Sequence, residues 1–259
     1  MLEFFKGIQT PGLIPWEKMP TYNTIMALTA GAALLALVLF VKRLIAIQSQ
    51  QVTKIPEISK KDQLDPIILG YGVAFLVFGT ILIITGAHMT LTWPLAGGGF
   101  AFDNIVFGET SLPFGVLLFV FGLFLYNQKK SIIKKSDPLA YIATALQGTS
   151  FFVVMLGIAL FGIGASGLVY QLFAAPPQEP ISGAFASMPW LENIFMALLF
   201  WGIALGCFTY PVILLRLRNS KYCGLVKTIA IIIGICGVVL ALFGAMNYYT
   251  HIGLIVNTK

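Results

Sequence analysis

Charge is scarce in this sequence. Asp, Glu, Lys and Arg make up 10% of its 259 residues, against about a quarter of an ordinary soluble domain. Hydrophobic residues make up 58%, and the mean hydropathy is +0.90; a soluble fold could not cover that much apolar surface. Ionisable groups are missing above all from the centres of the long apolar runs, where no Asp, Glu, Lys, Arg or His is found. Proton pumps and many ion-coupled transporters need such groups near mid-bilayer depth. A small-solute transporter built from this chain would have to work with hydroxyls, amides and backbone alone, and ranks third among the functions considered.

Cysteine and histidine are scarce too. Cys207, Cys223 and Cys236 all fall in segments assigned below to the membrane or the cytoplasm, which excludes a structural disulfide on an oxidising face. They read as small buried hydrophobes and one cytoplasmic thiol. No nucleophile elbow, P-loop, Rossmann fingerprint or HExxH motif is present. No catalytic residue or metal site is therefore assigned, and enzymatic activity of the chain on its own is not expected.

What is present is a series of apolar runs at about 24–41, 66–87, 111–127, 139–170, 193–215 and 225–248, uncharged but for Lys227 at the start of the last. Each is long enough to cross a hydrocarbon core of about 30 Å. The expectation is an all-α, polytopic membrane helix bundle: one integral membrane domain over 1–259, with six transmembrane helices after an N-terminal segment 1–23. The fourth run is longer than a span requires. Its start, Leu139 to Gln147, either lies along the interface or belongs to a tilted helix. GxxxG spacing at Gly202 and Gly206 suggests close helix packing.

Placement of the charges decides how the net +6 should be read. Of the 16 Lys and Arg residues, 13 fall in three clusters: Lys42, Arg43, Lys54, Lys60 and Lys61; Lys129, Lys130, Lys134 and Lys135; Arg216, Arg218, Lys221 and Lys227. These follow runs one, three and five. Short cytoplasmic loops collect Lys and Arg, so these loops are inside and both termini are on the outer face. The same placement argues against nucleic acid as a partner. The first run is not a secretory signal, because its positive charge follows the apolar stretch instead of preceding it.

The outer segments hold Glu3, Glu17, Asp103, Glu109, Glu179 and Glu192 with only Lys6, Lys18 and Lys259, and many aromatics, among them Trp16, Trp93 and Trp190. Such aromatics read first as interfacial anchors. The connection at Tyr170-Gln171, Pro176-Pro177 and Pro180 reads as a rigid, turn-rich link. Each helix running outward carries a Gly-Ala pair near its outer end, Gly86-Ala87, Gly164-Ala165 and Gly244-Ala245, a hint of close packing at equal depth.

Candidate chemistry gathers between runs two and three, in GAHMTLTWPLAGGGFAFDNIVFGETSLP. Pro94 stops the helix and Gly97-Gly98-Gly99 permits positive φ. A connection of this length with apolar side chains is expected to fold back over the helix ends. His88, Trp93, Asp103, Asn104 and Glu109 are its candidate site residues. Glu109, placed after a Gly108 that lets the backbone turn, is expected to find backbone N–H groups at the start of span three, or the imidazole of His88. His88 and His251 could face a common site if their helices are neighbours. That would allow haem b, with Met246, Tyr248 and Tyr249 near by, or a quinone near Trp93-Pro94 and Tyr248-Tyr249. A metal site of His88, His251 and Asp103 or Glu109 lacks any organising motif.

The stretches GAHMTLTWPL and FDNIVFGETSLPFG resemble an uncharacterised family of multi-pass prokaryotic membrane proteins, domain of unknown function 981. The resemblance covers about the central third of the chain. It implies a prokaryotic plasma membrane and marks His88, Trp93, Pro94, Asn104, Gly108 and Glu109, but carries no activity. The expected function is a non-catalytic subunit of a larger membrane assembly, redox or respiratory in kind. Its partners would be the lipid bilayer and other membrane subunits. The alternative is an electron-transfer protein holding haem b or quinone through His88 and His251.

Overall fold

The computed structural model describes residues 2–8, 10, 22–50, 57–95, 100–222 and 224–259. Trp16, Glu17, Lys18, Lys54, Gly97-Gly98-Gly99 and Cys223 lie outside the described residues. Among those described there is no strand. The α-helices are α1 (Leu2–Lys6), α2 (Asn23–Gln50), α3 (Glu57–Leu91), α4 (Glu109–Ile133), α5 (Pro138–Leu146), α6 (Ser150–Tyr170), α7 (Pro189–Arg218) and α8 (Gly224–Asn257). Six stretches are long and apolar enough to span a membrane: Asn23–Ser49, Lys61–Leu91, Asn104–Ile133, Pro138–Tyr170, Pro189–Arg218 and Gly224–Asn257. The chain is a polytopic membrane helix bundle.

Two boundaries depart from the sequence reading. The long fourth run is not one continuous helix. Asp137 accepts the Ala140 N–H at 2.8 Å and Pro138 occupies the first turn, starting α5 as a separate helix. Its Leu139, Ile142 and Ala143 share one face and are buried in the core, and a 3-10 turn at Gln147–Thr149 leads into α6. The third span begins earlier than residue 111, because a π-helical turn at Asn104–Gly108 runs straight into α4. Gly108 is helical (φ −65°, ψ −59°) and does not turn the chain. Its lack of a side chain serves proximity: a Cβ there would sit 3.1 Å from Met89 Cβ and from Thr90 N, at the end of α3.

Three close helix pairs form, the hairpins α3–α4 and α6–α7 and the sequence-distant pair α2–α8. Glycine allows each approach, as expected where lipid offers no hydrophobic drive and van der Waals contact between backbones must hold the helices together. A Cβ on Gly79 would lie 2.6 Å from Phe119 N, and one on Gly115 would lie 2.8 Å from Ile83 N. In the α8–α2 pair, a Cβ on Gly31 would lie 2.3 Å from Ala241 N and 2.6 Å from Gly237 O. The three Gly-Ala pairs do mark such contacts: Gly86 meets Leu112 of α4, Gly244 meets Leu28 of α2, and Gly164 meets the Trp201 indole of α7. Gly202 and Gly206 admit Cys236 and Ile233 of α8. Cys207 packs on Gly157, so both described cysteines serve as small packing residues.

Between these pairs lie two apolar cores. The first joins α2, α3 and α4 around Phe40, Phe75 and Phe121, whose ring centroids are 5.2–6.0 Å apart. The second joins α6, α7 and α8, and is closed by Val106 of the π turn. The two ends of the bundle differ in kind. One carries the basic clusters, tied by Lys129 to Asp65 at 3.1 Å, Tyr222 to Gln48 at 2.7 Å and Ser220 to Asp137 at 2.5 Å. The other carries both termini and the connections 92–108 and 171–188.

Candidate functional site

The end holding the termini has a polar interior. Every buried polar residue among those described belongs to it: Thr24 and Thr29 of α2, Asn104 and Ser111 at the start of the third span, Glu179 and Ser182 of the second connection, Asn193 of α7, and Asn247, Thr250 and Asn257 of α8. Burial of polar groups is costly unless they are bonded, so each bond here shows what the sequence spends polarity on.

Asn104 is 1% exposed. Its amide donates to the Met89 carbonyl and, at 2.9 Å, to the Thr92 carbonyl, while its Oδ1 accepts the Leu95 N–H at 3.1 Å. The last carbonyls of a helix have no partner within it, and here a side chain from the next segment supplies one. The bonds fold residues 100–108 back over α3, while Val106 enters the second core and Phe102 and Phe107 pack against it. The described part of the connection, 92–95 and 100–108, is therefore closed down. Asn193, also 1% exposed, does the equivalent work in the next hairpin, accepting the Phe173 N–H at 2.9 Å and donating to the Pro189 carbonyl at 2.7 Å. The triplets Asp103-Asn104-Ile105 and Glu192-Asn193-Ile194 are the sequence signal of this shared device.

A second cluster lies under residues 176–182. The Glu179 carboxyl is buried, and its Oε1 is 4.0 Å from Nε2 of His251 on α8. Burial pushes this carboxyl above its ordinary range, while the Thr250 and Ser182 hydroxyls facing it act in the opposite direction. Glu192 lies close enough to repel it and is itself bonded to the Ala175 N–H at 2.7 Å. Pro180 packs on Gly253 of α8, where a Cβ would be 2.3 Å from the ring. Pro180, Ile181 and Ser182 form a γ-turn, with Ile181 at φ +65°, ψ −70° and the Ser182 N–H on the Pro180 carbonyl at 2.7 Å. That is a sparsely populated conformation, least favourable of all for a β-branched residue. The sequence reading took this connection as a simple rigid link; its carboxyl, placed between two prolines, was the available signal.

The family can now be stated. A family model described as "Protein of unknown function (DUF981)" matches residues 19–253. The chain belongs to this family. No curated protein and no solved structure matches. The family match takes in both polar clusters, from Asn104 to His251, and extends well beyond the central third that carried the resemblance.

The remaining candidates are dispersed. His88 meets the Tyr22 ring edge-on, with centroids 5.6 Å apart, whereas His251 faces Glu179. Helices α3 and α8 each pack on α2 and make little contact with each other, so the neighbourhood assumed for a shared His88–His251 site is not formed. Trp93 is 61% exposed at the end of α3. With exposed Tyr170, Trp190, Tyr248 and Tyr249 it forms an aromatic rim, the usual residue class at a membrane interface. Among the described residues no three His, Cys, Asp or Glu side chains converge as metal ligands.

Glu109 is exposed on the first turn of α4. Neither expected partner is engaged by its side chain; only its backbone N–H is bonded, to the Asn104 carbonyl. The helix continues upstream of it, so Glu109 does not stand where free amides would cap. Glu109→Gln should leave the melting temperature and the assembly state unchanged, measured by thermal unfolding in detergent and native-gel mobility.

Asp103, by contrast, begins the π turn without a side-chain cap bond, and burial pushes its carboxyl up to about 7. A carboxyl whose folded value exceeds its unfolded one binds more protons when folded. Its contribution is fully favourable below the unfolded value of 3.8 and is lost as pH rises towards about 7. Asp103→Asn should therefore raise the melting temperature at about pH 8 and change it little at about pH 4. An equal shift at both would mean that the carboxyl is not desolvated.

Proposed function

We propose that the chain is a non-catalytic integral subunit of a larger membrane assembly and works through the polar end of its bundle. The observation that supports this best is that, among the described residues, those polar residues that are buried as a whole lie at that end. The interior at mid-span is apolar, and the polar groups go into holding two connections and the N-terminal segment in place. Such an end is a rigid platform, suited to presenting surface to another subunit. The aromatic rim sets it at the membrane boundary. The positive charge of the opposite end supports an orientation in a prokaryotic plasma membrane with the platform, and both termini, outside.

Purification from native membranes in mild detergent tests the reading. The expected result is a particle larger than the 28.2 kDa chain, containing other polypeptides in fixed ratio. A lone chain with a haem absorption spectrum would overturn it in favour of the electron-transfer alternative. Orientation has its own test, in a background with the native cysteines replaced. Single cysteines at the exposed positions Ser131 and Asn219 should be shielded from an impermeant thiol reagent in intact cells, and those at Ser187 and Lys259 labelled. The reverse pattern would invert the orientation and put the platform in the cytoplasm.

A further inference from the structure

Among the described residues, the Glu179–His251 pair is the one charge contact between the two elements it joins. Glu179 belongs to the connection between α6 and α7, and His251 belongs to α8. They are 4.0 Å apart, longer than a hydrogen bond, with side chains 10% and 16% exposed. One further atom at this place lacks a hydrogen-bond partner among the described residues, Nδ1 of His251. The hydroxyls of Thr250 and Ser182 face the carboxyl. The cluster is thus a desolvated acid and base with neutral polar groups around them.

Over this cluster the N-terminal segment is laid down like a strap. The Phe4 carbonyl accepts the Ile181 N–H at 2.7 Å, and the Pro177 carbonyl accepts the Ile8 N–H at 3.4 Å. The Asn257 amide bridges the Lys6 and Gln178 carbonyls at 2.5 and 2.8 Å, and the Tyr249 hydroxyl donates to the Phe5 carbonyl at 2.8 Å. Gly7 has φ +73°, and a Cβ there would lie 2.4 Å from the Gln178 carbonyl oxygen.

We propose that Glu179 and His251 form one proton-binding site, and that a single proton held by the pair keeps residues 176–182 and the N-terminal strap closed on α8. The inference is independent of whether other subunits are present. With one proton the pair has no net charge, either as carboxylic acid and neutral imidazole or as carboxylate and imidazolium. Removing it leaves a carboxylate with Glu192 near by and, among the described residues, no buried cation to balance it. Adding a second leaves an imidazolium beside a neutral acid. Either way a lone charge is buried, which costs far more than a paired one.

The other ionisable groups around the pair do not alter this. Glu192, from α7, adds to the repulsion in the deprotonated state. Lys6 of the strap and Lys259 beyond α8 are exposed and solvated. Relief of the lone charge comes from hydration, which requires the 176–182 segment to lift. The strained γ-turn at Ile181 is released in the same movement. Closure is therefore tightest between the two protonation steps of the pair, steps that belong to the pair and not to either residue.

Amide hydrogen exchange of the 174–186 region of the full chain in detergent, corrected for intrinsic rates, reads closure directly. Protection of the Ile181 and Gly183 amides should pass through a maximum with pH. On each side it should fall by up to about tenfold per pH unit, the slope for one proton linked to opening. Glu179→Gln should abolish the dependence on the alkaline side, and His251→Gln that on the acid side. A flat wild-type profile, or an unchanged profile in both variants, would overturn the proposal. Should a variant fail to fold, infrared difference spectra of the wild-type chain carrying isotope-labelled glutamate decide. A labelled carboxylic acid band that disappears on the alkaline limb of the protection profile is expected, and its absence at every pH, together with an imidazole that never protonates, would refute the shared site.

Discussion

Replacing Asn104 by alanine should release the connection between α3 and α4 and expose it to protease within residues 92–103. The side chain is almost fully buried and satisfies three backbone groups, the carbonyls of Met89 and Thr92 and the N–H of Leu95. Truncation orphans all three where water has poor access. Each unsatisfied buried group costs about 1–3 kcal/mol, so a loss of roughly 3 kcal/mol or more is expected after partial hydration. Because Val106 enters the second core, a freed connection also uncovers the α6–α7 hairpin. Thermal unfolding in detergent measures the stability loss, and limited proteolysis locates it. Asn104→Asp should be no better, since a carboxylate cannot donate to two carbonyls. If Asn104→Ala melted as the wild type and resisted protease, the bonds around Asn104 would not be what holds the connection down.

The second large effect is expected at Gly31. A Cβ there would meet the Ala241 nitrogen at 2.3 Å and the Gly237 oxygen at 2.6 Å. Both are backbone atoms of α8, which no rotamer change can move aside. Gly31→Ala must push α2 and α8 apart along their whole contact, and overpacking of this kind costs on the order of 1–3 kcal/mol. Gly31→Leu should yield little folded protein. Gly234→Ala is the control, because a Cβ at Gly234 meets nothing within 4 Å, and alanine in an open helix position is favoured over glycine by about 1 kcal/mol. Folded yield on size exclusion and the melting temperature would distinguish them. Equal behaviour of Gly31→Ala and Gly234→Ala would mean that the α2–α8 pair does not depend on close backbone approach.

The same contrast explains how much of the site was legible. Asn104 was a candidate because it sits in a connection too long and too apolar to be a tether, and the structure makes it the residue that closes that connection. Glu109 was a candidate for the same reason, and only the cap expected of its side chain is not made. The helix starts five residues earlier, at Asn104, which moves the free amides away from Glu109. His88 and His251 looked paired because both end helices of the same direction. Direction along the membrane normal says nothing about lateral order, and α2 packs against both of their helices. Glu179 and Thr250 are distant in the chain; they meet where Pro180 settles on Gly253.

By itself the sequence determined that the chain is helical, that it has six spans, and that its polar and basic ends are different in kind. Those properties depend on hydropathy and charge summed over some twenty consecutive residues, which bilayer thickness turns directly into structure. Membership of the family was visible at the same level, in contiguous motifs. Tertiary structure alone decided which helices pair, why particular glycines are needed, and which carboxyl lies beside which imidazole. Those are contacts between residues distant in the chain, decided by where one backbone can approach another, and no run of neighbouring residues encodes them singly.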